Sequence, residues 1–277
     1  MLKRTIPRSG EMITAVGLGT SGRFNVGSDP ADRAPVKEVL RLFVEMGGQL
    51  VDTSPSYRRS EGVLGDLSAE LGIRKSLFLA TKVSTWEGRE EGIQQMEHSF
   101  KDLHTNRVDL MQVHNLKNWQ THLKTLRRWK DAGRIRYLGV TTSEVEDFGE
   151  MESIIRSEKP DFMQLNYNIQ TRDAEKRLLP LAADTGTAVL VNRPFQRARL
   201  FRKVRALGTR PPEWAAEFDC KTWGQFMLKF ILSHPAVTCT IPATRKPKHL
   251  VDNMGAGMGR LPDKEMRRRM VDLVGNL

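Results

Sequence analysis

Eight short apolar runs of strand length recur along the chain, and the stretches between them have the apolar spacing of amphipathic helices. In the first such stretch, Val36, Val39, Leu40 and Phe43 fall on one helical face. Strands that are apolar on both faces need helices around them, which is typical of a parallel sheet. A barrel of this kind takes roughly 250 residues, so we predict one α/β domain, a (β/α)8 TIM barrel over residues 1–277, with an open doubly wound sheet as the alternative. The predicted strands are Ala15–Leu18, Leu50–Val51, Leu77–Thr81, Val108–Val113, Tyr137–Thr141, Phe162–Leu165, Ala188–Val191 and Val237–Ile241.

Two segments outside this alternation carry predictions of their own. Within Leu2–Ile13, the turn signal Arg8–Glu11 lies between two extended pieces and predicts an N-terminal β-hairpin that closes the bottom of the barrel. The connection Asn192–Asp219 contains two consecutive prolines and is longer than an ordinary loop. In a barrel it would hang over the mouth, where sites are built.

The formal net charge of +11 raises the question of a nucleic-acid partner. Basic residues are spread along the chain, and the tightest run, Arg267–Arg269, has no interleaved aromatics, so we predict no such partner. A basic surface also attracts an anionic cofactor or substrate. No run approaches the ~20 apolar residues of a membrane span, so no membrane association is expected. Cys220 and Cys239 lack sulfur or histidine neighbours at zinc-like spacing, so no metal site is expected. The two could pair in principle, but Cys239 lies in the apolar run Val237–Ile241 and is predicted to be a core residue, so no disulfide is expected.

A glycine-rich motif near the start could mislead. Gly17–Gly22 matches the dinucleotide fingerprint G-x-G-x-x-G, which works only when a helix opens immediately after it. Here Asn25, Gly27, Asp29 and Pro30 follow, and these residue types favour a loop. We therefore predict that the motif is not a Rossmann phosphate loop.

Polar residues stand at the ends of successive predicted strands, where barrel enzymes keep their catalytic groups. Asp52 ends the second strand, Lys82 the third and His114 the fourth, and Tyr57 follows Asp52 by five residues. Each residue alone has an ordinary structural explanation, as a cap, a surface lysine, a core histidine or a loop aromatic. Their joint placement indicates a catalytic site.

With these residues in place, the chain resembles the aldo/keto reductase family, from about Arg4 to Leu261. The motifs that carry the resemblance are Val51–Tyr57 with Ser60-Glu61, Ala80–Lys82, Asp109–His114, Gly133–Val140, Gln164–Asn168, and Ile241–Thr244 leading to Asp252-Asn253.

The resemblance implies a catalytic tetrad of Asp52, Tyr57, Lys82 and His114. Hydride reduction of a carbonyl needs a proton for the developing alkoxide, and a phenol of pKa ~10 donates poorly at neutral pH. A lysine ammonium ~4 Å away would favour the phenolate by ~4 kcal/mol, or ~3 pKa units, and burial would oppose it. We therefore expect Lys82 to lower the pKa of Tyr57 by a smaller net amount, Asp52 to keep Lys82 charged, and His114 to orient the substrate carbonyl.

The family resemblance also implies NADPH as the cofactor. Gln164 and Asn166 match positions that hold the nicotinamide carboxamide, whereas Asn192 and Arg193 stand where many members place a stacking tyrosine. The predicted cofactor-binding residues are Gly19, Thr20, Asp52, Thr141, Thr142, Gln164, Asn166, Asn192, Arg193, Thr244, Arg245, Lys246, His249, Asp252 and Asn253. Phe24 and Trp86 are predicted walls of the substrate pocket.

The leading hypothesis is a soluble oxidoreductase that transfers a hydride between NADPH and the carbonyl of a small aldehyde or ketone, or acts in reverse on an alcohol. One alternative is a non-catalytic NADPH-binding regulatory subunit of the same fold; another is a barrel enzyme with Lys82 as a Schiff-base nucleophile. We expect a cytoplasmic location. A periplasmic one stays open, because the subgroup that the chain resembles includes members with a twin-arginine export signal. The sequence predicts neither the substrate nor the oligomeric state.

Overall fold

Eight parallel strands form the barrel in the computed structural model, which describes residues 1–275. They pair in chain order, and bridges from Val16 to Thr240 and from Gly19 to Ala243 join the last strand to the first. This confirms the predicted (β/α)8 barrel. After the hairpin strands β1 (Lys3–Thr5) and β2 (Met12–Thr14), the barrel strands are β3 (Leu18–Gly19), β4 (Leu50–Asp52), β5 (Phe78–Val83), β6 (Val108–His114), β7 (Ile135–Thr141), β8 (Phe162–Asn166), β9 (Ala188–Asn192) and β10 (Cys239–Thr240).

Helices surround the strands, and two of them start at a residue whose side chain caps the first turn. The Asp29 carboxylate accepts from the Ala31 amide at the start of the first helix, and Thr222 caps the eighth in the same way. The helices are α1 (Pro30–Glu45), α2 (Ser60–Glu70), α3 (Arg89–Asp102), α4 (Trp119–Asp131), α5 (Phe148–Glu158), α6 (Leu178–Thr185), α7 (Arg199–Val204), α8 (Trp223–Leu232), α9 (Pro247–Gly255) and α10 (Lys264–Gly275).

The predicted N-terminal hairpin plugs the bottom of the barrel. Strands β1 and β2 pair antiparallel, and Ile6 and Ile13 are buried against the ring cluster of Phe78, Tyr137 and Phe162 inside the barrel. Apolar side chains therefore fill the amino-terminal end of the barrel, and the carboxyl ends of the strands are left to form a site.

The glycine-rich motif does not open a helix, and α1 begins only at Pro30. Its glycines instead allow the first strand to approach its neighbours closely. A Cβ on Gly17 would lie 2.8 Å from the Leu50 carbonyl oxygen, and one on Gly19 would lie 2.7 Å from that of Ile241. The motif thus serves barrel closure, and the first strand is shorter and later than predicted.

The connection from Asn192 to Asp219 is more ordered than a long loop. It contains α7, whose Leu200 and Val204 side chains are buried, and two 3-10 turns. Cys220 and Cys239 are buried and unpaired. Over residues 1–275, no helix has both the length and the apolar character to span a membrane, and no group of three or more side chains suits a metal ion.

Candidate active site

A cavity of about 1310 Å³ opens at the carboxyl ends of the strands. Three of the four predicted catalytic residues, Asp52, Tyr57 and His114, line it, and Lys82 lies directly behind Asp52. Each is placed by the end of a strand or the turn that follows, so chain segments far apart in sequence meet at one point.

Asp52 and Lys82 form a buried ion pair. The Lys82 ammonium, only 1% exposed, donates to both Asp52 carboxylate oxygens at 2.8 and 2.7 Å and to the Thr53 carbonyl at 2.6 Å. Gln112 donates to the same carboxylate at 3.3 Å. Burial alone would lower the pKa of Lys82, but Asp52 and Tyr57 outweigh it and hold that pKa above its ordinary value. The lysine therefore stays cationic at neutral pH.

Tyr57 lies at the end of a 3-10 turn that Ser54 caps. Its ring is 5.3 Å from the Lys82 nitrogen, measured to the ring centroid, and packs edge-on against the His114 ring. Burial raises the pKa of Tyr57 by more than the Lys82 charge lowers it. The prediction that the pKa of Tyr57 is lowered is therefore wrong in sign, because burial of the phenol has a larger effect than the Lys82 charge.

His114 ends β6 with its Nδ1 atom 2.9 Å from the Ser84 hydroxyl and 3.2 Å from that of Ser54. Burial, with the Lys82 and Lys117 charges, lowers its pKa to about 3. The imidazole is thus neutral at physiological pH, which leaves one ring nitrogen as a donor and the other as an acceptor.

Glu61 is a buried carboxyl group for which no role was predicted, although it belongs to one of the motifs that carry the family resemblance. It accepts hydrogen bonds from the hydroxyls of Thr81 and Ser99, the latter at 3.0 Å. Burial raises its pKa to about 7. Two sequence signals could have found it: its place beside Ser60 in that motif, and its position on an otherwise uncharged face of α2.

Two amide groups in the cavity wall have polar atoms without partners among the described residues. Thr141 donates to the Gln164 oxygen at 2.7 Å, which leaves the Gln164 nitrogen free, and Asn192 donates to the Thr142 carbonyl, which leaves its own oxygen free. Both free atoms are buried. One free donor and one free acceptor on the neighbouring strands β8 and β9 suit a primary carboxamide such as that of nicotinamide.

The other end of the cavity is cationic. Thr244, Arg245, Lys246 and His249 surround it together with Arg23, which was not predicted. The last predicted residues of this region, Asp252 and Asn253, also line the cavity, as does Gly19. Asp252 accepts hydrogen bonds from Thr222 at 2.8 Å and from Gln225 at 3.0 Å, so its carboxylate already has partners within the protein.

Three predicted cofactor residues do not line the cavity. Thr20 donates to Thr53, Thr142 donates to Asp147, and Asn166 donates to the Ser143 carbonyl. These side chains stabilise the cavity wall from behind, because each is hydrogen-bonded to a neighbouring residue. Arg193 does line the cavity, where it pairs with Glu144 at 2.7 Å.

Both predicted substrate-pocket aromatics lie elsewhere. Phe24 is fully buried in the core, and Trp86 is 68% exposed with Lys117 above its ring. Aromatic cavity walls come instead from Phe195, Phe201 and Trp223. These three lie in or just after the long connection, whose internal fold the sequence did not predict.

The family model of the aldo/keto reductase family matches residues 15–270. Aldo-keto reductase YhdN of Bacillus subtilis is 28% identical over 214 residues, which span 72% of this chain and 64% of that protein's length. Methylglyoxal reductase YeaE of Escherichia coli is 27% identical over 259 residues, or 91% of this chain and 89% of that protein. The crystal structure of an aldo/keto reductase from Klebsiella pneumoniae in complex with NADP and acetate has a TM-score of 0.78 and 23% identity, and covers 99% of this chain and 96% of that one.

Proposed function

The chain belongs to the aldo/keto reductase family, and on that premise we propose that it reduces the carbonyl group of a small aldehyde or ketone with NADPH, or oxidises the matching alcohol. The observation that carries the proposal is the meeting of a half-buried, protonated phenol with a buried lysine cation at the wall of a large cavity. When bound, NADPH supplies the hydride.

Tyr57 is the proposed proton donor. Its raised pKa keeps the phenol protonated, and therefore loaded, at neutral pH. As the proton leaves for the developing alkoxide, Lys82 stabilises the phenolate because its buried ammonium lies close to the Tyr57 ring. Asp52 holds the ammonium in place through both carboxylate oxygens.

His114 is proposed to orient the substrate carbonyl. Ser56 donates to the Ser84 oxygen at 2.6 Å, so the Ser84 proton is available to the Nδ1 atom of His114. The ring proton then resides on Nε2, which makes that nitrogen a neutral donor for a carbonyl oxygen.

The proposed cofactor contacts pair groups of the cavity wall with complementary groups of NADPH. Gln164 and Asn192 offer the free donor and acceptor for the carboxamide, while Arg245 and Lys246 provide charge for a ribose phosphate. The NADP in the Klebsiella pneumoniae structure supports the choice of cofactor.

A Schiff-base role for Lys82 fits the geometry poorly. All three ammonium hydrogens have acceptors, two on Asp52 and one on Thr53, and the pKa of Lys82 is raised. A nucleophilic amine must instead be neutral and reachable.

The proposal is tested by following NADPH absorbance with a panel of aldehydes, ketones and quinones. Turnover is expected, and flat traces across the panel would favour the regulatory-subunit alternative. For the cofactor, we expect tighter binding of NADPH than of NADH. Arg245→Ala should weaken NADPH binding by about 10- to 100-fold and leave NADH nearly unchanged, since a charge-assisted hydrogen bond contributes about 1.5 to 3 kcal/mol. Equal wild-type affinities for the two cofactors would refute this assignment.

A further inference from the structure

Glu61 is a buried carboxyl group close to the site, and the proposed mechanism does not use it. It lies in the first turn of α2, is 1% exposed, and accepts hydrogen bonds from Thr81 on β5 and Ser99 on α3. Thr81 immediately precedes Lys82, and successive residues of a strand point to opposite faces. The Glu61 carboxyl therefore binds the outer face of the strand whose inner face presents the Lys82 ammonium.

The helix that carries Glu61 follows directly from the turn that carries Tyr57. The Ser60 hydroxyl, at the start of α2, donates to the Tyr57 carbonyl at 2.8 Å. Glu61 is the next residue, and within the described part of the chain its bond to Thr81 is the one side-chain hydrogen bond between α2 and β5. One carboxyl group thus connects the helix after Tyr57 to the strand that carries Lys82.

The turn between Tyr57 and α2 needs this connection because its backbone is strained. Arg58 has φ 56° and ψ −116°, and Arg59 has φ −79° and ψ −1°. These angles are close to those of a type II′ turn, whose first central position favours glycine. A non-glycine residue keeps such a conformation only when its surroundings hold it. Release of α2 from β5 would therefore let the turn relax and move the Tyr57 ring relative to Lys82.

We propose that Glu61 is a positioning residue that holds the Tyr57 phenol and the Lys82 ammonium at their working separation. The Lys82 nitrogen is 5.3 Å from the centroid of the Tyr57 ring. Stabilisation of the phenolate during proton transfer depends on this separation, because the attraction between two charges weakens as their distance grows. The inference rests on the proposed carbonyl reduction and identifies a residue that fixes its geometry without touching the substrate.

The test compares two hydroxyl deletions that each remove one hydrogen bond to Glu61. Thr81→Val breaks the bond to β5, and Ser99→Ala breaks the bond to α3, while both leave the Glu61 carboxyl in place. Both hydroxyls are buried, so the two losses of stability should be similar. Only the Thr81 bond reaches the strand that carries Lys82, so only its loss should affect the chemical step.

Two substitutions of Glu61 itself complete the set. Glu61→Leu removes both hydrogen bonds, whereas Glu61→Gln keeps both, because the amide oxygen accepts from Thr81 and the amide nitrogen donates to the Ser99 oxygen. The chemical rate is measured in a single turnover of the preformed enzyme–NADPH complex with an aldehyde that the wild type reduces, and NADPH affinity is measured by fluorescence. If Glu61→Leu does not fold, the two hydroxyl variants alone decide the question.

We expect Thr81→Val to lower the single-turnover rate by at least about 5-fold and Glu61→Leu by about 10- to 100-fold, since small misplacements of reacting groups have effects of this size. Ser99→Ala and Glu61→Gln should stay within about 3-fold of the wild-type rate. NADPH affinity should stay within about 2-fold in all four variants, since none of these residues lines the cavity. Equal rate losses in Thr81→Val and Ser99→Ala, or no loss in either, would overturn the proposal and leave Glu61 a structural group.

Failure of the proposed reaction would be recognised separately, because the wild type then reduces no aldehyde. In that case the pKa of the Tyr57 phenol decides the inference, measured from tyrosinate absorbance against a matched Tyr57→Phe protein. The Lys82 charge lowers that pKa, so Thr81→Val should raise it and Ser99→Ala should leave it unchanged. The same Tyr57 pKa in the two hydroxyl variants would refute the inference.

Discussion

Replacing Asp52 by asparagine removes one charge of a buried ion pair and keeps the shape of the side chain. Lys82 is 1% exposed, and among residues 1–275 its only charged hydrogen-bond partner is Asp52. At an effective dielectric of ~20, two unit charges ~3 Å apart attract each other by ~5 kcal/mol. Breaking a buried pair on one side typically costs about 3 to 5 kcal/mol, because the remaining charge has no counterion. We therefore expect Asp52→Asn to lower the free energy of unfolding by ~3 to 5 kcal/mol.

Urea unfolding near pH 7, followed by circular dichroism, measures this loss. The pKa of Lys82 is raised in the folded protein, so the contribution of the pair is present below the unfolded-state pKa and is lost only as pH rises through the folded one. Neutral pH therefore lies where the pair contributes fully.

The matched variant is Asp52→Asn/Lys82→Met, which removes both charges. Since an uncharged replacement leaves no buried ion, it should be more stable than Asp52→Asn alone by at least ~2 kcal/mol. A loss below ~1 kcal/mol in the single variant, with no recovery in the double variant, would refute the claim that Lys82 is a buried cation held by Asp52.

Two further predictions concern stability. Burial raises the pKa of Glu61 from 4.5 to about 7, so the folded protein holds a proton in that interval that the unfolded chain has lost; unfolding free energy should fall by up to ~3 kcal/mol as pH rises through it. Glu61→Gln should remove this slope in urea unfolding at several pH values, and a slope like that of wild type would contradict the assignment. A Cβ on Gly65 would lie 2.1 Å from the Asp102 carbonyl oxygen, whereas one on Gly62, in the same helix, meets no atom within 4 Å. Thermal unfolding should show Gly65→Ala destabilised by ~2 to 3 kcal/mol and Gly62→Ala unchanged or stabilised by up to ~1 kcal/mol, and similar effects of the two would contradict this packing.

Two features could be predicted because both follow from the repeated strand–helix pattern. They are the barrel itself and the clustering of Asp52, Tyr57, Lys82 and His114. Apolar runs alternate with helical spacing, and residues at the carboxyl ends of parallel strands must gather at one rim. The glycine-rich motif could likewise be distinguished from a phosphate loop, since the residue types after it do not begin a helix.

Other features depend on depth and packing, which a sequence does not contain. The pKa of Tyr57 moves upward because burial outweighs the Lys82 charge. Phe24 and Trp86 both follow strands, yet the first is fully buried and the second exposed, because the path of each loop decides where its aromatic points. The short helix α7 was not predicted, because basic residues separate Leu200 from Val204 and the composition of the segment is typical of a loop.

Single-turnover reduction by the Tyr57→Phe variant measures whether Tyr57 donates the proton. Preformed enzyme–NADPH complex is mixed with an aldehyde that the wild type reduces, and a deuterium isotope effect with labelled NADPH identifies the chemical step. Since general acid catalysis supplies about 10² to 10⁴ in rate and phenylalanine keeps the ring, we predict a rate loss of that size with NADPH affinity within about 2-fold of wild type. A variant that retains more than about a tenth of the wild-type chemical rate would show that another group donates the proton.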